Sequence, residues 1–435
     1  MSTRPFQNNA VIGQRGVFKW EADQRPGNWR EMINLLYPDG DAPLTAMTAL
    51  LASEATDDYI FNWWGKGFPK QFGEATGIYT DQALSSAVSG TLAEGDVIYV
   101  KVAADTAKHF TRGKQVLLRE LAGDINKDTN FKCLDVTLSG ANSYLVLKLI
   151  GSDNGVEDCD WVVLSGNINP QGGLIPVPVS YNPVKFYNHT QIFRNSLQMT
   201  RTAMKTRLRT PEQYQEAKRE ALELHSVEME RAFWHSVRSE TINAENGEPE
   251  TTTDGIITAI KRENPNNIFR YNADAEFAGK TWEQGAEDWL EKCMEELHRY
   301  GTGERMFFAG SNVLRTLNRL AKLYGNIQLA PGETKYGLAV TYWITSQGPI
   351  AIKTNPLWNH DPSMRSTMVA VIPSKMKFRF IDDTFFKADE SDKKNTNSSR
   401  DGKYEEFVTE AGLEYDHLEG YGIFTGFGLD NELTP

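Results

Sequence analysis

Hydrophobic and polar positions change texture several times along this chain. From Gly95 to about Gly166, short β-branched runs recur: "GDVIYVKV", "KQVLLREL", "FKCLDVTL", "YLVLKLI" and "DWVVLSG", each bounded by Gly, Asn or Asp. That spacing predicts a small antiparallel barrel or sandwich. "GGLIPVPVSYNPVKFY" follows, and its alternating prolines demote it to an edge or extended arm. "NHTQIFRNSLQMTRTA" then mixes polar and apolar residues with no helical stripe. At Pro211 the texture reverses. A proline at the first turn with Thr210 as N-cap is a helix start. Tyr214, Ala217, Ala221, Leu224, Phe233 and Val237 trace an apolar stripe among Glu, Lys and Arg. The predicted helix, 211–238, is a rod of roughly 40 Å at 1.5 Å per residue.

The flanking regions are less regular. Residues 1–58 are broken by Pro and Gly and read as an arm. "YIFNWWGKGFPKQFG" places six aromatics among glycines and a proline, which predicts an extended, packed edge segment. Beyond the rod come a turn-rich loop and an amphipathic helix, "TWEQGAEDWLEKCMEELHRYG". A short strand, "RMFFAG", leads into a second helix, "SNVLRTLNRLAKLYG", capped by Ser311 and stopped by Gly325. "YGLAVTYWITSQGPIAIKTNPLW" and "TMVAVIPSKMKFRFI" read as strands, and "KADESDKKNTNSSRDGK" as a solvated loop. "KYEEFVTEAGLEYDHLEGYGIFTGF" closes the chain as alternating strand.

Length and charge narrow the class. The chain has 435 residues, enough for two or three domains, with 40% apolar content and ten tryptophans to build cores. A net charge of −12 argues against a nucleic-acid-binding surface, because only short basic clusters such as Arg201–Arg209 occur. The three cysteines, Cys133, Cys159 and Cys293, make neither a disulfide framework nor a Cys-x-x-Cys metal site. They read as buried apolar residues in a reducing compartment. The N-terminus has no apolar h-region and no run is long enough to span a membrane, so a cytosolic product, or one released without secretion, is expected.

Candidate chemistry is thin. Glu295 and His298 form half of a di-iron Glu-x-x-His motif, but a second helical copy is lacking. Glu414 and His417 repeat the spacing in strand-like sequence, where it places them on opposite faces. His225 and His235 lie ten residues apart without a His-Glu-x-x-His. Asp57/Asp58 and Asp382/Asp383 read as solvated turns, and no nucleophile elbow or phosphate loop is present. No catalytic residue, cofactor or metal is therefore expected, and a structural role follows by elimination. A tail or adhesin protein with a carbohydrate-binding β domain is the alternative that the residues leave open.

The order of parts resembles one known plan. "DAPLTAMT", "YNHTQIFRNSLQMTRTA", "TTTDGIITAIKREN", "YGLAVTYWITSQGPIAI" and "TEAGLEYDHLEGYGIFTGF" resemble, in this order, segments of the major capsid protein of tailed bacteriophages. This is the Hong-Kong-ninety-seven-like fold. The resemblance runs from about residue 38 to 428 and implies an α+β fold. Its implied parts are an N-terminal arm (1–58), an extended hairpin (59–85 and 174–205), a peripheral domain (206–255 and 365–435) with a spine helix, and an axial domain (256–364). The β-rich block 86–173 is an expected insertion. Phe61, Trp63, Trp64, Phe68, Phe72, Asn188, Thr190 and Gln191 are the candidate contacts between subunits. Some relatives cross-link a hairpin lysine to a neighbour's asparagine. Lys66 and Lys70 match no such motif, and that chemistry is not carried over.

The implied function is a non-enzymatic subunit that self-assembles, through pentamers and hexamers, into an icosahedral head around double-stranded DNA. The implied partners are further copies, a separate scaffolding protein, a portal, and a cement protein in some shells. Packaged DNA would be held without sequence-specific contact, and no membrane is involved. Assembly is expected in the host cytoplasm, and the product in the virion capsid.

Overall fold

A computed structural model describes residues 42–48, 51–67, 71–121, 127–173, 175–206, 213–299, 304–324, 329–335, 338–345, 348–389 and 402–433. The chain forms two compact units, one from Met1–Gly65 with Lys185–Pro435 and the other from Lys66–Val184.

The first unit opens with helix α1 (Pro43–Thr48) and strands β1 (Ala52–Ala55) and β2 (Ile60–Gly65). The second unit supplies β3 (Phe72–Tyr79), β4 (Val97–Val102), helix α2 (Ala104–Ala107), β5 (Lys114–Arg119), β6 (Thr129–Thr137), β7 (Tyr144–Leu149) and β8 (Trp161–Asn167). The chain continues through β9 (Val184–His189), β10 (Gln191–Thr200), α3 (Arg201–Lys205) and the long helix α4 (Gln213–His235). After hairpin β11–β12 (Ser239–Ile242, Pro249–Thr252) come α5 (Ile256–Glu263), β13 (Ile268–Arg270), α6 (Trp282–His298), β14 (Met306–Ala309) and α7 (Ser311–Tyr324). The final strands are β15 (Leu329–Lys335), β16 (Leu338–Thr345), β17 (Gly348–Thr354), β18 (Met368–Val371), β19 (Met376–Lys387), β20 (Gly402–Tyr415) and β21 (Gly422–Thr425).

The second unit is a closed barrel in the order β3-β4-β7-β6-β5-β8. Alternate residues point inward, among them Ile98, Val100, Val116, Leu118, Phe131, Leu147 and Val162, all buried. Cys133 and Cys159 are free and sit in this core, where burial pushes both thiols up to about 12. The barrel starts earlier than the sequence suggests. β3 falls within the segment expected to be hairpin, 59–85, yet it pairs with both β4 and β8. Without it those two would be open edges, so closure recruits it.

Besides the two-stranded pairs β11-β12 and β2-β9, the first unit has two larger sheets among the described residues. One runs β1-β19-β20-β10, with β1 parallel to β19 and the other pairs antiparallel. Helix α4 packs on it through an i,i+4 row of buried residues: Gln213, Ala217, Ala221, His225, Met229 and Phe233. This row departs from the expected stripe, since Leu224 and Val237 are exposed while two polar residues lie in the seam. The helix also ends at His235 rather than 238, because Ser236 O is taken by the Gly255 N–H at 2.8 Å as the chain turns into β11. A side chain at 255 would meet the backbone of Trp234 and His235 at 2.7 Å, so glycine is needed there. Thr210 and Pro211, the expected helix start, lie outside the described residues.

The other sheet is seven-stranded and mixed, in the order β13-β21-β18-β14-β17-β16-β15. Its central strands are covered on both faces. Met306 and Phe308 of β14 point into one core with α5, whereas Phe307 and Ala309 point into another with α6 and α7. That explains runs such as "RMFFAG" and "MVAV", which are apolar at every position. The expected division at 364 does not hold for this sheet. β18 and β21 come from the segment 365–435, and both lie inside its edge strands.

Candidate assembly surface

The expected contact residues begin on a two-stranded ribbon of β2 and β9. Strand alternation puts Phe61 and Trp63 on its inner side and Trp64 outside. Trp63 stacks on Phe61 at 6.0 Å and on Phe186 at 6.2 Å, and it meets the edge of Tyr415 at 5.7 Å. The ribbon approaches β20 closely enough that a side chain at Gly412 would meet His189 O at 2.6 Å. Trp64, by contrast, is 64% exposed.

The polar residues after the ribbon turn inward. Asn188 is fully buried; its amide donates to Leu413 O at 2.8 Å and to the Thr253 hydroxyl at 3.3 Å. Its carbonyl oxygen accepts from the backbone N–H groups of His189 and Asp254, both at 2.8 Å. Gln191 Oε1 accepts from the Thr253 N–H at 3.2 Å, and the Thr190 hydroxyl donates to Glu410 at 3.2 Å. Asp254 then takes the Arg262 guanidinium at 2.6 Å and the Tyr415 hydroxyl at 2.8 Å. Burial pushes the Tyr415 phenol well above its ordinary range, with the Asp254 carboxylate adding to it. Three separate segments, 188–191, 253–262 and 413–415, therefore meet in one buried polar junction. Every donor and acceptor of Asn188 has a partner inside the chain, as burial of an amide requires.

Most of the expected contact side chains are thus packed within the chain itself. Phe61, Trp63, Asn188 and Thr190 are all less than a tenth exposed, with their side chains engaged within the chain. Gln191 is partly buried and serves the same junction. Phe72 belongs to the barrel wall, where it stacks on Trp161 at 5.8 Å. Phe68 lies outside the described residues. Of the set, Trp64 alone among the described first-unit residues presents a large apolar side chain to solvent.

A second junction was not foreseen. Glu230 of α4 is completely buried. Its carboxylate accepts from the Thr45 backbone N–H at 2.7 Å and hydroxyl at 3.1 Å, from Trp234 Nε1 at 2.8 Å and from Asn355 Nδ2 at 2.9 Å. Burial pushes this carboxyl up, against the pull of those donors. It holds α1, whose Leu44 and Met47 are fully buried, on the long helix. β1 continues the attachment: Glu54 pairs with Arg379 at 2.8 Å, and Arg379 also pairs with the buried Glu414 at 2.5 Å.

Two of the histidines flagged in the sequence, His225 and His298, have structural partners. His225 Nδ1–H donates to Asn195 Oδ1 at 2.7 Å, and the Thr409 hydroxyl lies 2.7 Å from Nε2. His298 Nδ1 lies 2.8 Å from Met294 O, and Glu295 pairs with Arg299 at 2.8 Å. Among the described residues no three His, Cys, Asp or Glu side chains are grouped to hold a metal, and no helix is long and apolar enough to cross a membrane.

His225 makes stability depend on pH. Burial holds its imidazole below the ordinary value, with nearby Glu228 pulling weakly the other way. The unfolded chain therefore takes up a proton first. The contribution is complete above about 6.5 and is lost as pH falls through the lower folded value. The melting temperature of the unassembled subunit should fall between pH 7 and pH 5, and His225→Gln should flatten that slope. His235 and His298 are depressed by burial as well, so part of the slope persists. An unchanged slope in the variant would place the response elsewhere.

With the arm, ribbon, long helix and doubly covered sheet in place, comparison with known proteins decides the family. A model of the SU10 major capsid protein family matches residues 14–428. The chain belongs to that family. It is a structural protein of a phage capsid, and the expected α+β capsid fold with a small added β-barrel is the one observed. The major capsid protein of Pseudomonas phage PaMx41 is 22% identical over 371 residues, covering 84% of this chain and 82% of that protein. A solved structure from Mycobacterium phage Bobi aligns with a TM-score of 0.43 and 8% identity, over 93% of this chain and 96% of that one. The mature capsid of bacteriophage PhiM1 aligns at 0.38 and 11% identity, over 61% and 80%.

Proposed function

We propose that this capsid protein is a non-enzymatic shell subunit that self-assembles, through pentameric and hexameric rings, into the icosahedral head of a tailed phage. The family match across residues 14–428 carries this reading. Assembly proceeds in the host cytoplasm with a separate scaffolding protein and a portal. A cement protein is a further partner in this reading, and double-stranded DNA is enclosed without sequence-specific contact. The subunit's acidic balance, −12 overall, supports weak adhesion to packaged DNA. Negative-stain microscopy of purified protein tests the proposal. Closed shells, or rings of five and six, are expected; trimeric fibres would overturn it.

The ribbon supplies the contact. Trp64 is a large aromatic with most of its surface in solvent, on an extended two-stranded element where Phe61 and Trp63 are already packed. Trp64→Ala should change the stability of the unassembled subunit by no more than about 0.5 kcal/mol. Assembly, followed by light scattering, should nevertheless be strongly impaired. Equal losses in both measurements would mean that Trp64 serves the fold.

A further inference from the structure

Asn-Gly occurs twice in the chain, at Asn154–Gly155 and Asn246–Gly247. In this dipeptide the asparagine side chain lies within reach of the next backbone nitrogen, and glycine sets no Cβ in the way. Attack of that nitrogen on Cγ forms a new C–N bond and breaks the Cγ–Nδ2 bond. Ammonia leaves, carrying off the proton of the attacking nitrogen. Water then opens the cyclic imide at either carbonyl and leaves aspartate or isoaspartate. Solvent water is the one co-reactant, and nothing is oxidised or reduced. Both asparagines are exposed, so access to water does not separate them. The way each is held does.

Asn154 lies in the loop between β7 and β8 of the barrel. Its amide nitrogen, the leaving group, donates to Asp128 O at 2.9 Å, and its backbone N–H donates to the Thr129 hydroxyl at 3.2 Å. The attacking atom, Gly155 N, donates its proton to Asp153 Oδ1 at 2.9 Å, and Val156 N donates to the same oxygen at 3.0 Å. A carboxylate so close opposes loss of the proton that attack requires. Val156 is fully buried in the barrel core, so lifting this loop uncovers that core.

Asn246 lies at the tip of hairpin β11–β12, a two-stranded sheet of its own in which every residue of β11 is exposed. The Glu248 N–H donates to Asn246 Oδ1 at 3.1 Å, which polarises the carbonyl and stabilises the oxygen on which charge develops during attack. The leaving amide nitrogen has no partner among the described residues. Gly247 has φ +75° and nothing within 4 Å of where a Cβ would stand. Its N–H donates to Asn243 O at 2.9 Å, a neutral acceptor, in a hairpin that opens at small cost. We propose that Asn246 is a site of spontaneous covalent modification, converting through a cyclic imide to aspartate and isoaspartate, and that the barrel protects Asn154 from the same reaction. Each conversion adds a negative charge beside Glu245, Glu248 and Glu250. The hairpin that carries it braces the base of the ribbon, through the Tyr59 hydroxyl on Glu240 at 3.0 Å and the Thr251 hydroxyl on Thr190 O at 2.6 Å.

Ageing of the intact protein tests this. Full-length subunit is held at mildly alkaline pH, sampled over days and digested, and mass spectrometry follows the peptides that carry Asn154 and Asn246. Asn246 should gain the mass of amide-to-acid exchange at least about tenfold faster than Asn154. Its rate should rise with pH, because the attacking nitrogen must lose its proton. In concentrated denaturant both dipeptides are released from their folded settings, and the two rates should converge. Asn246→Gln should abolish the fast change and leave thermal melting of the subunit unaltered, since the position is exposed. Equal rates at the two sites in the folded protein, or faster conversion at Asn154, overturn the proposal. So does an Asn246 that stays intact in the folded protein while converting in denaturant. A fast mass gain that persists in the Asn246→Gln peptide overturns the assignment to this residue.

Discussion

Glu230→Ala is expected to lower the unfolding free energy of the isolated subunit by about 3 kcal/mol or more. The carboxylate is completely buried and accepts from the backbone and hydroxyl of Thr45, from Trp234 Nε1 and from Asn355 Nδ2. Truncation takes this acceptor from four donors on three residues, Thr45, Trp234 and Asn355, and opens a cavity beside Trp234. Each such donor costs about 1–3 kcal/mol when left unpaired. Glu230→Gln retains one acceptor oxygen and should cost less. Chemical denaturation of unassembled protein reads both. The loss should be accompanied by release of α1, because Thr45 is its first-turn anchor; increased proteolysis near residue 48 reports this. A change below about 0.5 kcal/mol in Glu230→Ala would show that the junction adds nothing to stability.

The second large effect concerns the barrel. A fragment of residues 66–184 should fold by itself and melt cooperatively, whereas 86–173 should not. The longer piece contains every barrel strand and a buried core running from Ala75 to Val162. The shorter one lacks β3, which pairs with β4 on one side and β8 on the other. Its removal opens two strand edges and uncovers Val100, Val102 and Val162, which are at most 1% exposed in the intact unit. Amide proton spectra of the two fragments separate the outcomes. Dispersed resonances from 86–173 would mean that closure is dispensable; collapsed resonances from 66–184 would mean that the barrel depends on the rest of the chain.

These two cases also show where sequence reading reaches its limit. The barrel's middle strands were legible because alternation over six residues, as in "VIYVKV", reports one covered face directly. β3, "FGEATGIY", was not. Its inward residues include Gly73 and Ala75, too small to signal burial. The long helix was legible from its charge and its lack of glycine, but its buried row was not. Gln213 and His225 lie in the seam, and a hydrophobic criterion passes over them. Glu230 reads as one more solvated glutamate in a charged helix, and nothing local marks it as buried. The Asn188 motif was recognised as a feature, yet its role was assigned to a neighbouring subunit. Its amide is in fact satisfied by Leu413 and Asp254 of the same chain.

The sequence by itself determined the local elements, the class of fold and the family, since periodicity reports which face of a segment is covered. Five short segments in the right order were enough for the family, each being degenerate alone. Only the tertiary structure decided which polar groups face inward and which strands neighbour one another. β18 and β21 insert between strands of a sheet begun a hundred residues earlier, and Asn188 bonds a carbonyl 225 residues away. Such partners are chosen by the need to satisfy most buried donors and acceptors at once. That condition acts on the folded chain as a whole and leaves no periodic trace in any one segment.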